Sequence, residues 1–209
     1  MPYVFIHGLG QTAACWGTVV PAVSNSDILC VDLWEQLNGQ KTRYENIYKG
    51  FVAYCKTLTG PIHLCGLSLG GIIALQYAIE YPEKVKSIVL IGTQYKMPKA
   101  LLRLQNSIFR LMPERTFAPM GMKKQDVLAL TRSMMCLDFS AKLSQISCPA
   151  LIVWGEKDSA NKKAAAHLAA HIPDAECAMI QKAGHEVNRE APEALAACLN
   201  SFWKKQRVE

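Results

Sequence analysis

The chain of 209 residues is half hydrophobic and about one fifth charged, and its 23 basic against 17 acidic side chains leave a net charge of +6. That length favours one domain around a single sizeable core, and the lack of any apolar run of about 18 residues excludes a membrane-spanning helix. Eight cysteines without a C-x-x-C pair or metal-finger spacing, and an N-terminus without the basic flank and long apolar stretch of a signal peptide, read as a reduced, cytoplasmic protein.

In chain order, the first apolar run, Tyr3–His7, reads as a strand ending in the turn His7-Gly8-Leu9-Gly10. A helix is expected over Cys15–Val23, a strand over Asp27–Asp32, a helix over Tyr44–Thr57 and a strand over Ile62–Leu67. Helix Leu69–Tyr81 and strand Ser87–Gly92 follow. Strand Ala150–Gly155, helix Asn161–His171, strand Cys177–Ile180 and helix Pro192–Trp203 complete the alternation. Most of the strands are continuous apolar runs, as in strands buried on both faces of a parallel sheet, with Cys30 and Cys65 serving inside them as small hydrophobes. The last helix carries Leu195, Leu199, Phe202 and Trp203 on one stripe, with Pro192 in its first turn. Strand–helix–strand repetition implies right-handed crossovers and an α/β fold with a doubly wound, mostly parallel six-stranded sheet.

The segment from Thr93 to about Leu137 breaks the alternation, with two helical stretches (Ala100–Met112 and Lys123–Met135) punctuated by Pro98, Pro113 and Pro119. An insertion there would lie over the carboxyl ends of the strands as a short helical lid. Its six methionines either pack the core or form an adaptable apolar wall. Eight basic side chains against Glu114 and Asp126 give this segment the whole of the net charge. No nucleic-acid recognition motif accompanies them, and a solvated lid surface is the plain reading. Leu101, Leu104, Ile108, Leu111 and Met112 form a helical stripe expected to cover the pocket, with Lys99, Arg103 and Arg110 facing outward. That basic face would either keep the lid soluble or attract an anionic partner: an acyl-carrier or coenzyme thioester, or an anionic membrane surface.

Chemistry concentrates in Cys65-Gly66-Leu67-Ser68-Leu69-Gly70-Gly71, a G-x-S-x-G motif with a strand running in and a helix running out. The glycines fit a tight turn in which larger side chains would collide, and the turn lifts Ser68 clear of the sheet at a helix N-terminus. A nucleophilic serine needs a base. His63 lies within a strand, His167 and His171 share a helix face without a companion carboxylate, and His7 belongs to a turn where the backbone matters more. His185, in Ala183-Gly184-His185-Glu186 after the last strand, is the expected base. Asp158, just past the penultimate strand, is the expected carboxylate, and the order Ser68, Asp158, His185 is the one required. Glu156 stands in the wrong turn position, Asp138 reads better as a helix cap and Asp32 lies remote from the nucleophile. Backbone N–H groups of Leu9 and Leu69 are the expected oxyanion donors. No metal and no cofactor are required.

These motifs resemble those of the α/β-hydrolase superfamily, in particular its compact bacterial serine esterases, such as those acting on pimeloyl-carrier methyl esters. The resemblance rests on His7-Gly8-Leu9-Gly10, Gly66-Leu67-Ser68-Leu69-Gly70-Gly71, the stretch from Pro149 to Asp158, and Gly184-His185. With the elements between them it covers nearly the whole chain. It implies one minimal α/β-hydrolase domain over residues 1–209, its lid at about 93–137. It also implies cleavage of a small carboxylic ester or thioester through an acyl-enzyme, with no nucleic-acid partner. Other triad chemistry stays open (carbon–carbon, lactone or amide cleavage), as does a noncatalytic ligand-binding protein. Dehalogenases of this fold carry Asp at the Ser68 position, which sets that branch aside. Two features depart from the family pattern. The chain starts at the third family strand, implying a six-stranded minimal sheet. Leu33-Trp34-Glu35-Gln36-Leu37-Asn38-Gly39 replaces a glycine-rich turn after Asp32, so that Trp34 and Leu37 are expected to shape this pocket.

Overall fold

The computed structural model describes residues 1–25, 27–118 and 121–206. Six strands form one sheet, β1 (Tyr3–Ile6), β2 (Ile28–Val31), β3 (Ile62–Leu67), β4 (Val85–Ile91), β5 (Ala150–Gly155) and β6 (Ala175–Ile180). Their order is β2-β1-β3-β4-β5-β6, and every neighbouring pair is parallel. All six expected strands are present, within a few residues of their expected ends.

Alternate residues of each strand feed two separate cores, which is why the strands read as unbroken apolar runs. Val4, Ile6, Leu64, Leu90 and Ile152 face one core, with α1 (Tyr44–Cys55), α2 (Leu69–Glu80) and α5 (Ser159–His171) packed on it. Phe5, Cys65, Val89, Ile91 and Val153 face the other, closed by Trp16 and by α7 (Pro192–Lys205). The outer strands are wetter. Cys30, expected inside, is exposed because β2 is an edge strand. The helix expected over Cys15–Val23 is instead two 3-10 turns, Ala13–Trp16 and Val20–Ala22. Gly17 and the missing N–H of Pro21 both oppose a continuous α-helical ladder there.

After β4 the chain forms α3 (Lys99–Leu111) and α4 (Lys124–Met134) before returning to β5. The two ends of this excursion are clasped. Lys96 and Asp138 form an antiparallel bridge with a 2.8 Å ion pair, Met97 N–H donates to Leu137 O (3.0 Å), and Phe139 N–H donates to Tyr95 O (2.9 Å). Helix α3 rests on α4 through buried Asn106, whose Oδ1 accepts a 2.6 Å hydrogen bond from Thr131. The expected inward stripe is overturned: Leu104, Ile108 and Leu111 are 60%, 50% and 88% exposed, while Leu102 and Phe109 turn toward the cavity beneath; Arg103 and Arg110 face outward as expected, and Lys99 lines the cavity. Of the methionines, Met97 and Met134 are buried and line that cavity. The side chain of Leu101, and both Pro119 and Met120, lie outside the described residues. Among the described residues no helix is long and apolar enough to cross a membrane.

Close backbone packing joins α2 to β1. A Cβ on Gly70, in the first turn of α2, would stand 2.7 Å from the carbonyl oxygen of His7, with backbone rather than a flexible side chain in the way. We expect Gly70→Ala to destabilise the fold by about 2–3 kcal/mol through overpacking, read as a lower urea midpoint with an unchanged slope. An unaltered midpoint would show that the helix can move off the strand freely.

Candidate active site

Strands β1 and β3 lie side by side, but the chain leaves β1 toward β2 and leaves β3 toward β4, opening a crevice at their carboxyl ends. Ser68 occupies that crevice with φ 52° and ψ −111°, a conformation costing about 1–3 kcal/mol for a residue with a Cβ. Its N–H donates to Ile91 O (2.8 Å) and its carbonyl accepts from Ile72 N–H (3.0 Å), so both sides of the turn are pinned. Leu69 opens α2, and its N–H has no acceptor within the helix.

Leu9 stands across the crevice in the loop after β1 and lines the same cavity. That loop is anchored by fully buried His7, whose Nδ1 bonds Gly8 O (2.9 Å) and whose Nε2 accepts from Leu33 N–H (2.9 Å). One nitrogen donates and the other accepts, which requires the neutral ring; burial lowers the His7 pKa accordingly. Trp34 and Leu37 do not line the cavity, contrary to expectation. Trp34 donates from Nε1 to Gln11 O (2.7 Å), and Leu37 packs in the core. Asp32 accepts the N–H groups of Ala13 and Trp34 and is likewise structural.

The loops after β5 and β6 bring Asp158 and His185 together. His185 Nδ1 lies 2.7 Å from Asp158 Oδ2, which leaves Nε2 as the ring's basic lone pair. Asp158 is buried, and Asn161 Nδ2 reaches both its oxygens (2.9 and 2.8 Å). Burial pushes the Asp158 carboxyl up, but the hydrogen bonds from His185 and Asn161 outweigh it and hold the pKa below the usual range. The bond to Asp158 raises the His185 pKa above 6.5, against burial, with Glu186 and Glu190 adding to the rise. Gly92, with φ 54°, lies beneath the ring; a Cβ there would stand 3.0 Å from His185 Nδ1. The rivals are accounted for elsewhere. Glu156 accepts Lys182 N–H (2.8 Å), Asp138 clasps the α3–α4 excursion, and His63 stacks on Tyr3 and bonds Ser87 Oγ (2.7 Å). His167 stacks on Tyr95 and His171.

Ser68, Leu9, Leu69 and His185 all line one cavity of about 940 Å³ running under α3. Its walls are mainly apolar, with Lys99 and Lys163 on the lining. Among the described residues no cluster of three His, Cys, Asp or Glu side chains could hold a metal ion.

Several supporting residues escaped the sequence reading. Gln94 Nε2 donates to Asn161 Oδ1 (2.8 Å), fixing the amide that holds Asp158. Glu190 accepts Gly184 N–H (2.7 Å) and Glu186 N–H (3.2 Å), so one carboxylate grips the backbone on both sides of His185. Gln11 and Asn188, both buried, exchange amide hydrogen bonds (3.4 and 3.3 Å) and tie the Leu9 loop to the helical turn α6 (Val187–Glu190). Only Asn161 left a local trace, three residues from Asp158 at a helix start, where side chains become neighbours.

Residues 3–198 match the sequence profile described as the alpha/beta hydrolase family. Among individual proteins, the chain is 24% identical over 240 residues to the pimeloyl-[acyl-carrier protein] methyl ester esterase of Nitrosomonas europaea, covering 95% of this chain and 94% of that one. It is 32% identical over 134 residues to Probable lysophospholipase BODYGUARD 1 of Arabidopsis thaliana, but spans only 28% of that longer protein. The crystal structure of a hydrolase from Pseudomonas aeruginosa PA01 superposes with a TM-score of 0.82 at 19% identity, covering 97% of this chain and 89% of that one.

The electrostatics of the His185 loop are open to direct measurement. Proton NMR of the imidazoles should give His185 a midpoint above 6.5, and Asp158→Asn should lower it most because it removes the largest contribution. Glu190→Ala should lower it less and loosen the loop. An unshifted midpoint in Asp158→Asn would mean that the 2.7 Å contact does not govern this ring.

Proposed function

The chain belongs to the alpha/beta hydrolase family, as a hydrolase of esters or related substrates, and we propose that it is a serine hydrolase acting through an acyl-enzyme. In this reading Ser68 Oγ attacks the acyl carbon while His185 Nε2 takes its proton, and Asp158 keeps the ring in the required tautomer and stabilises the imidazolium. The N–H groups of Leu9 and Leu69 hold the oxyanion, aided by the N-terminus of α2. His185 returns the proton to the leaving group, and a water deprotonated by the same ring releases the acid. Neither a metal nor a cofactor takes part.

The observation that carries this reading is the pairing of a strained Ser68, at a strand-to-helix turn, with a carboxylate-bound His185 on the same cavity. An apolar wall including Met97, Leu102 and Phe109 suits the acyl chain. Lys99 and Lys163, which form no ion pair among the described residues, suit an anionic group on a small ester or thioester. Residues 1–209 act as a single domain in the same reading, with 93–137 as the lid. Cysteine usage, all eight as free thiols, supports a cytoplasmic setting.

A fluorophosphonate probe and a series of neutral and acidic p-nitrophenyl esters test the proposal together. Ser68→Ala should abolish labelling and lower kcat by about 10⁴–10⁶ while leaving the protein folded. Asp158→Asn should lower kcat by about 10⁴. For the wild type, kcat/KM should rise with pH through one ionisation whose midpoint lies above 6.5, because the basic form of a ring with a raised pKa appears later. Near-normal turnover by Ser68→Ala would remove the acyl-enzyme. Probe labelling without ester turnover would shift the reading to another bond on the same triad.

A further inference from the structure

Helix α3 is built inside out relative to an ordinary surface helix. Its buried side presents Asn106 to α4 and its cavity side presents Leu102 and Phe109, whereas Leu104, Ile108 and Leu111 stand in solvent. Spacings of four and three residues put these last three on one line about 10 Å long. Of the five exposed large hydrophobic side chains among the described residues, they are the three that form a contiguous patch, and such a patch marks an interaction surface. Arg103 and Arg110, seven residues apart and both exposed, lie together along one side of the line, and α3 contains no acidic residue at all. The surrounding segment is basic as well, with Arg115, Lys123 and Lys124 following.

A bulky aliphatic ridge beside a row of guanidinium groups is matched by a surface that is oily within and negative at its rim. A second copy of the chain would press two wholly basic helices together, which opposes self-association. We propose that α3 is the surface by which this protein settles on anionic lipid membranes. Leu104, Ile108 and Leu111 enter the headgroup–acyl boundary, and Arg103 and Arg110 pair with lipid phosphates. Leu102, Gln105 and Phe109 line the cavity from the other side of the same helix, so docking sets the lipid on the outer face of the helix that covers the cavity. The binding does not depend on the acyl-enzyme reading, and Ser68→Ala should bind as the wild type does.

Flotation with vesicles of phosphatidylcholine, alone or with about 30 mol % phosphatidylglycerol, tests the idea. Wild type should float with the anionic vesicles at low salt, stay behind with neutral ones, and be released as salt screens the arginines. The triple variant Leu104→Ser, Ile108→Ser, Leu111→Ser should bind about tenfold or more weakly at unchanged charge, and Arg103→Gln with Arg110→Gln should remove the lipid selectivity. Neither variant touches the cavity, so melting temperature and hydrolysis of a short soluble ester should hold and show that the fold is intact. Failure of the wild type to float, or equal flotation of the triple variant, overturns the proposal. Without vesicle binding, a dimer in gel filtration that the triple variant splits would assign the ridge to a second copy. An acidic carrier protein bound in place of vesicles would overturn the proposal in the same way.

Discussion

At the carboxyl ends of β1 and β3, three backbone segments meet with no room for side chains between them. The first turn of α2 packs on the Ile6 and His7 carbonyls, and only a glycine at position 70 permits that approach. Because the helix starts so close to the strand, the residue joining β3 to α2 is forced into the left-handed half of conformational space, and that residue is Ser68. Its hydroxyl is thereby held out from the sheet, beside a free helix N-terminus and opposite the Leu9 loop. The neutral, doubly bonded His7 holds the other wall of the crevice in place. The strain at Ser68 is sustained by the packing around it, which is how a few kcal/mol of unfavourable backbone energy persists in a folded chain.

His185, the proposed base, is positioned by a different kind of force. His185 lies on a loop, and loops lack the ladder hydrogen bonds that hold strands and helices. Polar side chains supply the missing constraint. Asp158 fixes the ring, Asn161 and Gln94 fix Asp158, and Glu190 fixes the backbone on either side. The Gln11–Asn188 pair then couples this loop to the wall that carries Leu9. Asp158, Glu186 and Glu190 around one imidazole also keep its pKa high, so contacts that set geometry also set the pH range in which the ring is basic.

The α3–α4 excursion obeys a third logic. It is clasped at its ends by Lys96 and Asp138 and covers the cavity with the side of α3 that carries Leu102, Gln105 and Phe109. Periodicity identified an amphipathic helix there correctly. It could not say which way the helix would turn, because a 3.6-residue period reports that an apolar stripe exists and not what covers it. Arg103 and Arg110 do face outward, but the stripe does not face inward, because the buried face is the one that carries Asn106, hydrogen-bonded to Thr131 of α4.

The six strands, most of the helices, the strand-to-helix turn at Ser68 and the loops that carry Asp158 and His185 were all legible in the sequence, because each leaves a local signal: an unbroken apolar run, a helical period, a glycine-framed serine, a polar residue just past a strand. Local signals were also misleading where neighbours decide. Cys30 looked buried until its strand proved to be an edge, and Trp34 looked like a pocket residue until its indole was found holding Gln11. What only the tertiary structure decided is which distant polar groups share a hydrogen bond and which face of α3 meets water. Gln11 and Asn188 are 177 residues apart in the chain, and no pattern in either segment announces the other. Their pairing follows from the packing of α6 against the 3-10 turn after β1, a long-range property that short-range chemistry does not encode.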